Sequence, residues 1–425
     1  MRVDLMHPAD QLIMIMQRIY ERGLTTTSGG NLSIMDDNGD IWITPSGIDK
    51  GSLTRADIMQ VKPDGTIIGR HTPSVELPFH AHIYAIRPDI KAVLHAHPPT
   101  LVAYSLARKI PAMDLQADLK GICGDVVMAD YEVPGSKLLG EYIAKRFNEG
   151  YNTVMMENHG CVIGHKSILE AYHVFEALDF AGRMEINAKK IGAPKALTAE
   201  QIAEYAAACA TAFEELPAEK PTSEECALRR DLCAFAKRAY EQSLFTAAQG
   251  AFSARLSDGS FLVTPADGDL RLLAPEDIVR VKGNACEAGK KAGYAAVLFG
   301  KIYAEHPEVA SAAQTFAPGI MAFAATDAAF DSRTIPESYI KLRSVGRVPY
   351  MTGADEISGL ICVKTPVVIV ENECAIVTGK NLTDAFDILE VLEYSAKAVV
   401  MTADIAPLIR ISDKEVHDIE VAFNL

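Results

Sequence analysis

The chain repeats itself once, and that repeat constrains its architecture more than any other feature. "QLIMIMQRIYERGLTTTSGGNLSI" (11–34) lies over "DLCAFAKRAYEQSLFTAAQGAFSA" (231–254) at an offset of 220. The offset holds through Thr44-Pro45 over Thr264-Pro265 and Val61-Lys62 over Val281-Lys282. It then falls to 219, where "HIYAIRPDIKAVLHAHPP" lies over "KIYAEHPEVASAAQTFAP", and to 214, where "MMENHGCVIGHKSILEAY" lies over "IVENECAIVTGKNLTDAF". Solenoid repeats have periods of about 20–50 residues, so this is a tandem duplication of a whole domain. The expected domains are 1–215 and 222–425. Between their cores lie an Ala-rich helical stretch, "TAEQIAEYAAACATAFEEL" with Thr198 as N-cap, and the linker "PAEKPTSEE".

Within one copy the hydrophobic periodicity is mixed. Residues 9–22 place Leu12, Ile15, Met16 and Ile19 on one helical face and end at Gly23. "NLSIM" and "IWITP" read as strands joined by the turn "DDNGD". Further helices are expected at 76–86, 136–147 and 167–190, with strands at 91–96 and 152–157. Strand pairs joined by tight turns beside helices predict an α/β fold with a mixed sheet covered by helices.

Composition excludes several classes of partner. A net charge of −15 lacks the basic footprint that nucleic acid or an anionic membrane requires. No apolar run approaches the roughly 20 residues of a membrane span, and "MRVDLMHPADQL" has no leader pattern. The eight cysteines are scattered without a CxxC pair, as expected of reduced thiols in a cytoplasmic protein.

The chemistry concentrates in "AVLHAHPPT" (92–100). Residues i and i+2 of a strand share a face, so His95 and His97 can aim both imidazoles at one point. His80 and His82 in "FHAHIY" sit on a predicted helix, where positions two apart diverge by about 200°. They are rejected as a joint metal pair, though either can serve in packing or behind a ligand. His159, in "TVMMENHGCVI", follows another apolar strand. Three histidines with an open fourth position are the usual protein ligands of a catalytic Zn²⁺, although imidazole also takes other divalent ions. Spacing alone also allows three unconnected structural histidines.

"TSGGNLS", "TPSG", "SVELPFHAHIYAIRPDIKAVLHAHP", "DYEVPGSKLLGEYIA" and "ENHGCVIGHKSILEAY" together resemble the class II aldolase/adducin family, the group of L-fuculose-phosphate aldolase and L-ribulose-5-phosphate 4-epimerase. The resemblance covers about 8–190 fully and 228–400 in degraded form. It implies a three-layer α/β/α fold with a mixed, largely antiparallel central sheet, present as two tandem copies. It implies that His95, His97 and His159 hold Zn²⁺ or another divalent metal, that Glu76 is the catalytic acid/base, and that Tyr131 donates a proton. A carboxylate in a dry pocket can take the proton while a cation holds the developing enediolate. Gly29, Gly30, Asn31, Ser46, Gly47 and Ser74 match positions that bind a substrate phosphate. The chain departs from the frequent Ser-Ser-Glu pattern with Ser74-Val75-Glu76, one hydroxyl fewer.

In the second copy Glu76 falls on Ala295, His95 on Gln314, His97 on Phe316, His159 on Glu373 and Asn31 on Ala251. No ligand survives there. The family's cyclic tetramers imply that this copy stands in for a neighbouring subunit, so that two chains form a homo-oligomeric pseudo-tetramer. The expected activity is a metal-dependent aldolase of the aldehyde-lyase class, acting on a sugar phosphate or related hydroxy-carbonyl compound. The alternatives are a family decarboxylase or epimerase, or a non-catalytic adducin-like binding protein. An epimerase of the family carries Asp where Glu76 stands, which favours the aldolase.

Overall fold

The computed structural model describes residues 2–217 and 219–425. Two compact units emerge: one holds Arg2–Met113 and Leu119–Gly182, the other Asp114–Asp118 and Arg183–Leu425. No helix among the described residues is long and apolar enough to cross a membrane.

In the N-terminal unit, α1 (Pro8–Glu21) begins with Pro8 at its first position, where a missing N–H costs nothing, and with the His7 ring accepting from the Ala9 N–H. The strands are β1 (Asn31–Met35), β2 (Ile41–Ile43), β3 (Met59–Val61) and β4 (Ile67–Ile68), then β5 (Ala92–Ala96), β6 (Val126–Ala129), β7 (Thr153–Met156) and β8 (Cys161–His165). They form one sheet in the order β4-β3-β2-β1-β5-β8-β7-β6, in which only β6–β7 is parallel. The helices are α2 (Leu77–Ile86), α3 (Pro99–Leu106), α4 (Leu119–Cys123), α5 (Lys137–Asn148) and α6 (Ile168–Ile191). The expected mixed, largely antiparallel sheet is therefore present, and each helix or strand predicted between 9 and 190 lies within two residues of its expected bounds.

Helices α2 and α5 pack on each other against one face of the sheet. Phe79, Ile83, Leu139, Ile143 and Phe147 meet Val93, Val154, Met156 and Val162 in a single buried cluster. Val93 faces this cluster, so the pleat turns His95, two residues on, to the same side. An edge-on contact between the Phe79 and His95 rings, 6.1 Å between centroids, agrees. Helix α1 packs on β1 and β2.

The C-terminal unit adds α7 (Ala199–Cys209), whose Thr198 N-cap and Gln201 form a capping box, and β9 (Glu214–Leu216). It continues with α8 (Ser223–Glu241), β10 (Ala251–Arg255), β11 (Phe261–Val263), β12 (Val279–Lys282) and β13 (Ala285–Glu287). Then follow α9 (Tyr294–Glu305), β14 (Ser311–Thr315), α10 (Pro318–Ala324), α11 (Pro336–Leu342), β15 (Val345–Val348) and α12 (Ala354–Leu360). The last elements are β16 (Val367–Val370), β17 (Cys374–Gly379), α13 (Leu382–Thr402) and α14 (Asp413–Phe423). Read from the β9 end, the sheet runs β9-β13-β12-β11-β10-β14-β17-β16-β15. This is the N-terminal order with one strand added at the edge: β9 pairs parallel with β13 through the 214–216 segment, the end of the Ala-rich stretch expected to be helical.

Trp42, the single tryptophan, reports on the N-terminal unit alone. Phe147 is fully buried in its α2/α5 cluster. Phe147→Ala should destabilise this unit by about 3–5 kcal/mol. The urea midpoint of Trp42 fluorescence checks it; an unchanged midpoint would contradict the packing described.

Candidate metal centre

His95 is the next-to-last residue of β5, and His97 follows that strand's end. His159 sits in the tight turn Glu157–Gly160 between β7 and β8, where Asn158 adopts a left-handed φ of 55°. β5 pairs antiparallel with β8, which brings the turn beside the end of β5. The three imidazoles converge: one ring nitrogen from each lies within 4.8 Å of the other two. His95 and His97 face each other through their Nε2 atoms at 2.9 Å. The ring centroids of His159 lie 4.9 Å from both.

Two glycines make this convergence possible. A Cβ on Gly160 would stand 2.5 Å from the Ala96 carbonyl and 2.7 Å from His97 Cδ2. A Cβ on Gly30 would stand 2.7 Å from the His95 carbonyl, and its φ of 70° also suits glycine.

The His95 tautomer follows from its partner. Nδ1 lies 2.9 Å from the Cys161 carbonyl, which can only accept, so Nδ1 carries the proton and Nε2 presents its lone pair to the cluster. Burial, then the nearby charge of His159, pushes His95 down to about 3; burial, then its two neighbouring histidines, does the same to His97. His159 is also lowered, by burial foremost. The rings are therefore held neutral, the form that binds metals.

Glu76 immediately precedes α2, makes no side-chain capping bond to it, and is buried. Its Oε2 lies 3.3 Å from His95 Nε2, and its Oε1 lies 4.0 Å from His159 Nε2. Asn31, opposite His95 in the β1–β5 register, donates from Nδ2 to Glu76 Oε2 at 2.7 Å. With its amide so oriented, Asn31 Oδ1 accepts from His80 Nε2 at 2.6 Å. His80 Nδ1 then accepts from Ser33 Oγ, and Ser33 Oγ from the Tyr84 hydroxyl, each at 2.7 Å. Every proton in this chain points toward the carboxylate, so that each donor has an acceptor and the Glu76 side chain is held in place. Burial keeps His80 far below its ordinary pKa, and hence neutral.

The donor set fits a divalent cation on observations independent of any family. Three neutral imidazoles converge beside a carboxylate. Glu76 Oε1 and His159 Nδ1 are buried without a hydrogen-bond partner among the described residues. Buried polar atoms are nearly always satisfied, so the orphaned carboxylate oxygen marks a place for a cation or a ligand.

The other expected residues divide. Gly29 lines the cluster: its Cβ position lies 3.0 Å from His97 Nδ1. Ser74 is buried, and its Oγ accepts from the Glu76 N–H at 3.3 Å, so it shapes the loop that presents the carboxylate. Ser46 is tied to the same loop through its N–H to the Thr72 carbonyl, and Gly47 takes a left-handed φ of 67°. Tyr131 is half exposed, and no hydrogen bond or ring contact among the described residues joins it to the histidines. Sequence reasoning did not find the Tyr84–Ser33–His80–Asn31 chain. The signal was present in the repeat: Ser33 and Tyr84 recur as Ser253 and Tyr303, still 2.6 Å apart, while His80 becomes Phe299.

In the C-terminal unit the equivalent register holds, with Ala251 opposite Gln314 where Asn31 faces His95. Glu373, at the place of His159, is buried, and burial raises its carboxyl to about 7. It accepts from the Met351 N–H, and the Gln116 amide donates to its backbone carbonyl at 3.2 Å.

The sequence matches the Class II Aldolase and Adducin N-terminal domain over residues 10–186 and again over 230–400. The chain belongs to that family, in two tandem copies. It is 30% identical over 196 residues to the 5-deoxy-D-ribulose 1-phosphate aldolase of Bacillus thuringiensis serovar kurstaki, covering 45% of this chain and 91% of the relative. It is 32% identical over 203 residues to the 3-oxo-tetronate 4-phosphate decarboxylase of Pectobacterium atrosepticum, covering 46% and 90%. Among solved structures, an L-fuculose 1-phosphate aldolase is 30% identical with a TM-score of 0.43, over 47% of this chain and 94% of that one. The relatives are enzymes of both aldol and decarboxylation chemistry.

Gly160→Ala forces the β7–β8 turn away from His97, and displacing a ligand's support typically lowers metal affinity by about 10–100-fold. Zinc content after dialysis, compared with wild type, should fall accordingly. Retention of the full complement would show that the turn does not position a ligand.

Proposed function

We propose that the N-terminal copy is a divalent-metal-dependent lyase that makes or cleaves a C–C bond in a small phosphorylated sugar or related hydroxy-carbonyl compound. The observation that carries this reading is the convergence of His95, His97 and His159 beside the orphaned oxygen of Glu76. A bound Zn²⁺ or other divalent ion would supply the positive charge that an oxygen acquires a need for as the bond breaks. The chain's own residues supply the rest. Glu76 takes or returns the proton, its Oε2 held by Asn31 so that Oε1 is the reactive oxygen. The relay from Tyr84 through His80 fixes that carboxylate in place. Tyr131 is assigned the acid that serves the leaving group, and Gly29, Gly30, Asn31, Ser46, Gly47 and Ser74 the binding of the substrate's phosphate.

Aldol cleavage and decarboxylation both leave an electron pair beside a carbonyl, so one site suits either, and relatives of each kind stand at similar identity. We retain decarboxylation as the second reading. The domains are taken as 1–215, which carries the chemistry, and 222–425, which lacks it. Two chains are proposed to associate as a pseudo-tetramer in a cytoplasmic setting.

Incubation with 5-deoxy-D-ribulose 1-phosphate, L-fuculose 1-phosphate and 3-oxo-tetronate 4-phosphate separates the readings: aldehyde plus triose phosphate marks an aldolase, CO₂ a decarboxylase. Turnover of none of them by metal-replete protein would sink both. Glu76→Gln should keep bound metal and lose about 10²–10⁴-fold in turnover, the usual share of a general acid/base. His97→Ala should lose metal and turnover together, by metal analysis on the same sample.

A further inference from the structure

Lys50 is a buried cation without a counter-ion among the described residues. It is 2% exposed, and its Nζ donates to the Pro45 carbonyl. No ion pair joins it to a carboxylate among the described residues, and one carbonyl does not satisfy the three N–H groups of an ammonium. Burial alone draws its pKa down to about 8. An uncompensated buried charge costs stability, so packing does not account for a lysine here.

Its position is informative. Pro45 immediately precedes Ser46 and Gly47, and it bridges to Pro73, the residue before Ser74. The Lys50 N–H donates to the Thr27 carbonyl, which ties it to the 25–30 loop that presses on His95 and His97. In that loop the Thr25 hydroxyl is buried and has no hydrogen-bond partner among the described residues; it lies 3.0 Å from the Cβ position of Gly29. Lys50 is thus tied by its side chain to the segment of Ser46 and Gly47, which bridges to that of Ser74, and by its backbone to the loop that carries Thr25.

The C-terminal copy supplies an internal control. Leu270 takes the place of Lys50, is likewise buried, and donates its N–H to the Ala247 carbonyl as Lys50 does to that of Thr27. An aliphatic side chain therefore fills the same backbone setting. Thr25 becomes Phe245, whose ring crowds Gly250, the counterpart of Gly30. Ser46 becomes Ala266 and Ser74 becomes Gly293. The copy that lost the histidines also lost the cation and the hydroxyls.

From this juxtaposition we infer that Lys50, with the Thr25 hydroxyl, binds the anionic end of the substrate, and that it supplies by charge what Val75 withholds by lacking a hydroxyl. The inference rests on the lyase reading for the word substrate, but its test does not. The ligand chemistry is a compact oxyanion, phosphate foremost; a carboxylate would be recognised by the same groups.

The test is thermal unfolding followed by Trp42 fluorescence, with inorganic phosphate, acetate or chloride at matched ionic strength. Wild type should be stabilised by phosphate over chloride. Lys50→Met should unfold at a higher temperature than wild type in chloride, since the buried charge is gone, and bind phosphate about tenfold or more weakly. Lys50→Leu, copying Leu270, guards against a methionine-specific packing fault. Stabilisation of wild type by acetate alone would assign the same lysine to a carboxylate end. Failure of both anions to stabilise wild type, or an undiminished phosphate response in both variants, overturns the inference. Metal content measured on the same samples keeps the outcomes apart: a Lys50-dependent phosphate response in protein that holds no metal would preserve this inference while removing the lyase reading.

Discussion

The antiparallel registration of β5 between β1 and β8 is the constraint on which the site depends. One neighbour sets Asn31 opposite His95; the other brings the Cys161 carbonyl to His95 Nδ1 and the Glu157–Gly160 turn to the end of β5. A shift by one residue would turn His95 to the opposite face of the sheet. The buried face prevents that slip, because Val93 is locked in the apolar cluster of α2 and α5. Hydrophobic packing on one half of β5 thus holds the polar chemistry on the other half.

Against that frame, three rings and a carboxylate are kept close at a cost. Their burial removes them from water, and the hydrogen bonds behind them, from His95 to the Cys161 carbonyl and from Asn31 to Glu76, answer only some of their polar atoms. The inward-facing atoms are left for a cation and a ligand. Such partly unsatisfied polar groups are typical of working sites, where stability is given up for binding.

The two copies separate scaffold from chemistry without any other sequence for comparison. The sheet order, the β1–β5 type of pairing, the left-handed asparagine of the turn and the Ser–Tyr hydrogen bond recur in both. The histidines, Glu76, Asn31 and Lys50 do not. Since the fold persists without them, they are not needed to form it. The C-terminal copy also shows what replaces a site: apolar side chains at Phe245, Phe299 and Phe316, and a carboxyl at Glu373 whose pKa burial raises to about 7.

The sequence by itself determined the duplication, the element types, the histidine trio and the loss of ligands from the second copy, because these rest on period and residue identity. Strand alternation near 95–97 and the glycine at 160 were local signals of local geometry. Tertiary structure alone decided that His80 stands behind Asn31, that Asn31 holds Glu76, and that Lys50 is buried without a counter-charge among the described residues. Those relations join residues 45 or more positions apart, or depend on where a flexible side chain ends, and no periodicity encodes them. Tyr131 marks the same limit from the other side: its motif is clear in the sequence, yet its ring stands half exposed with no bond to the histidines among the described residues.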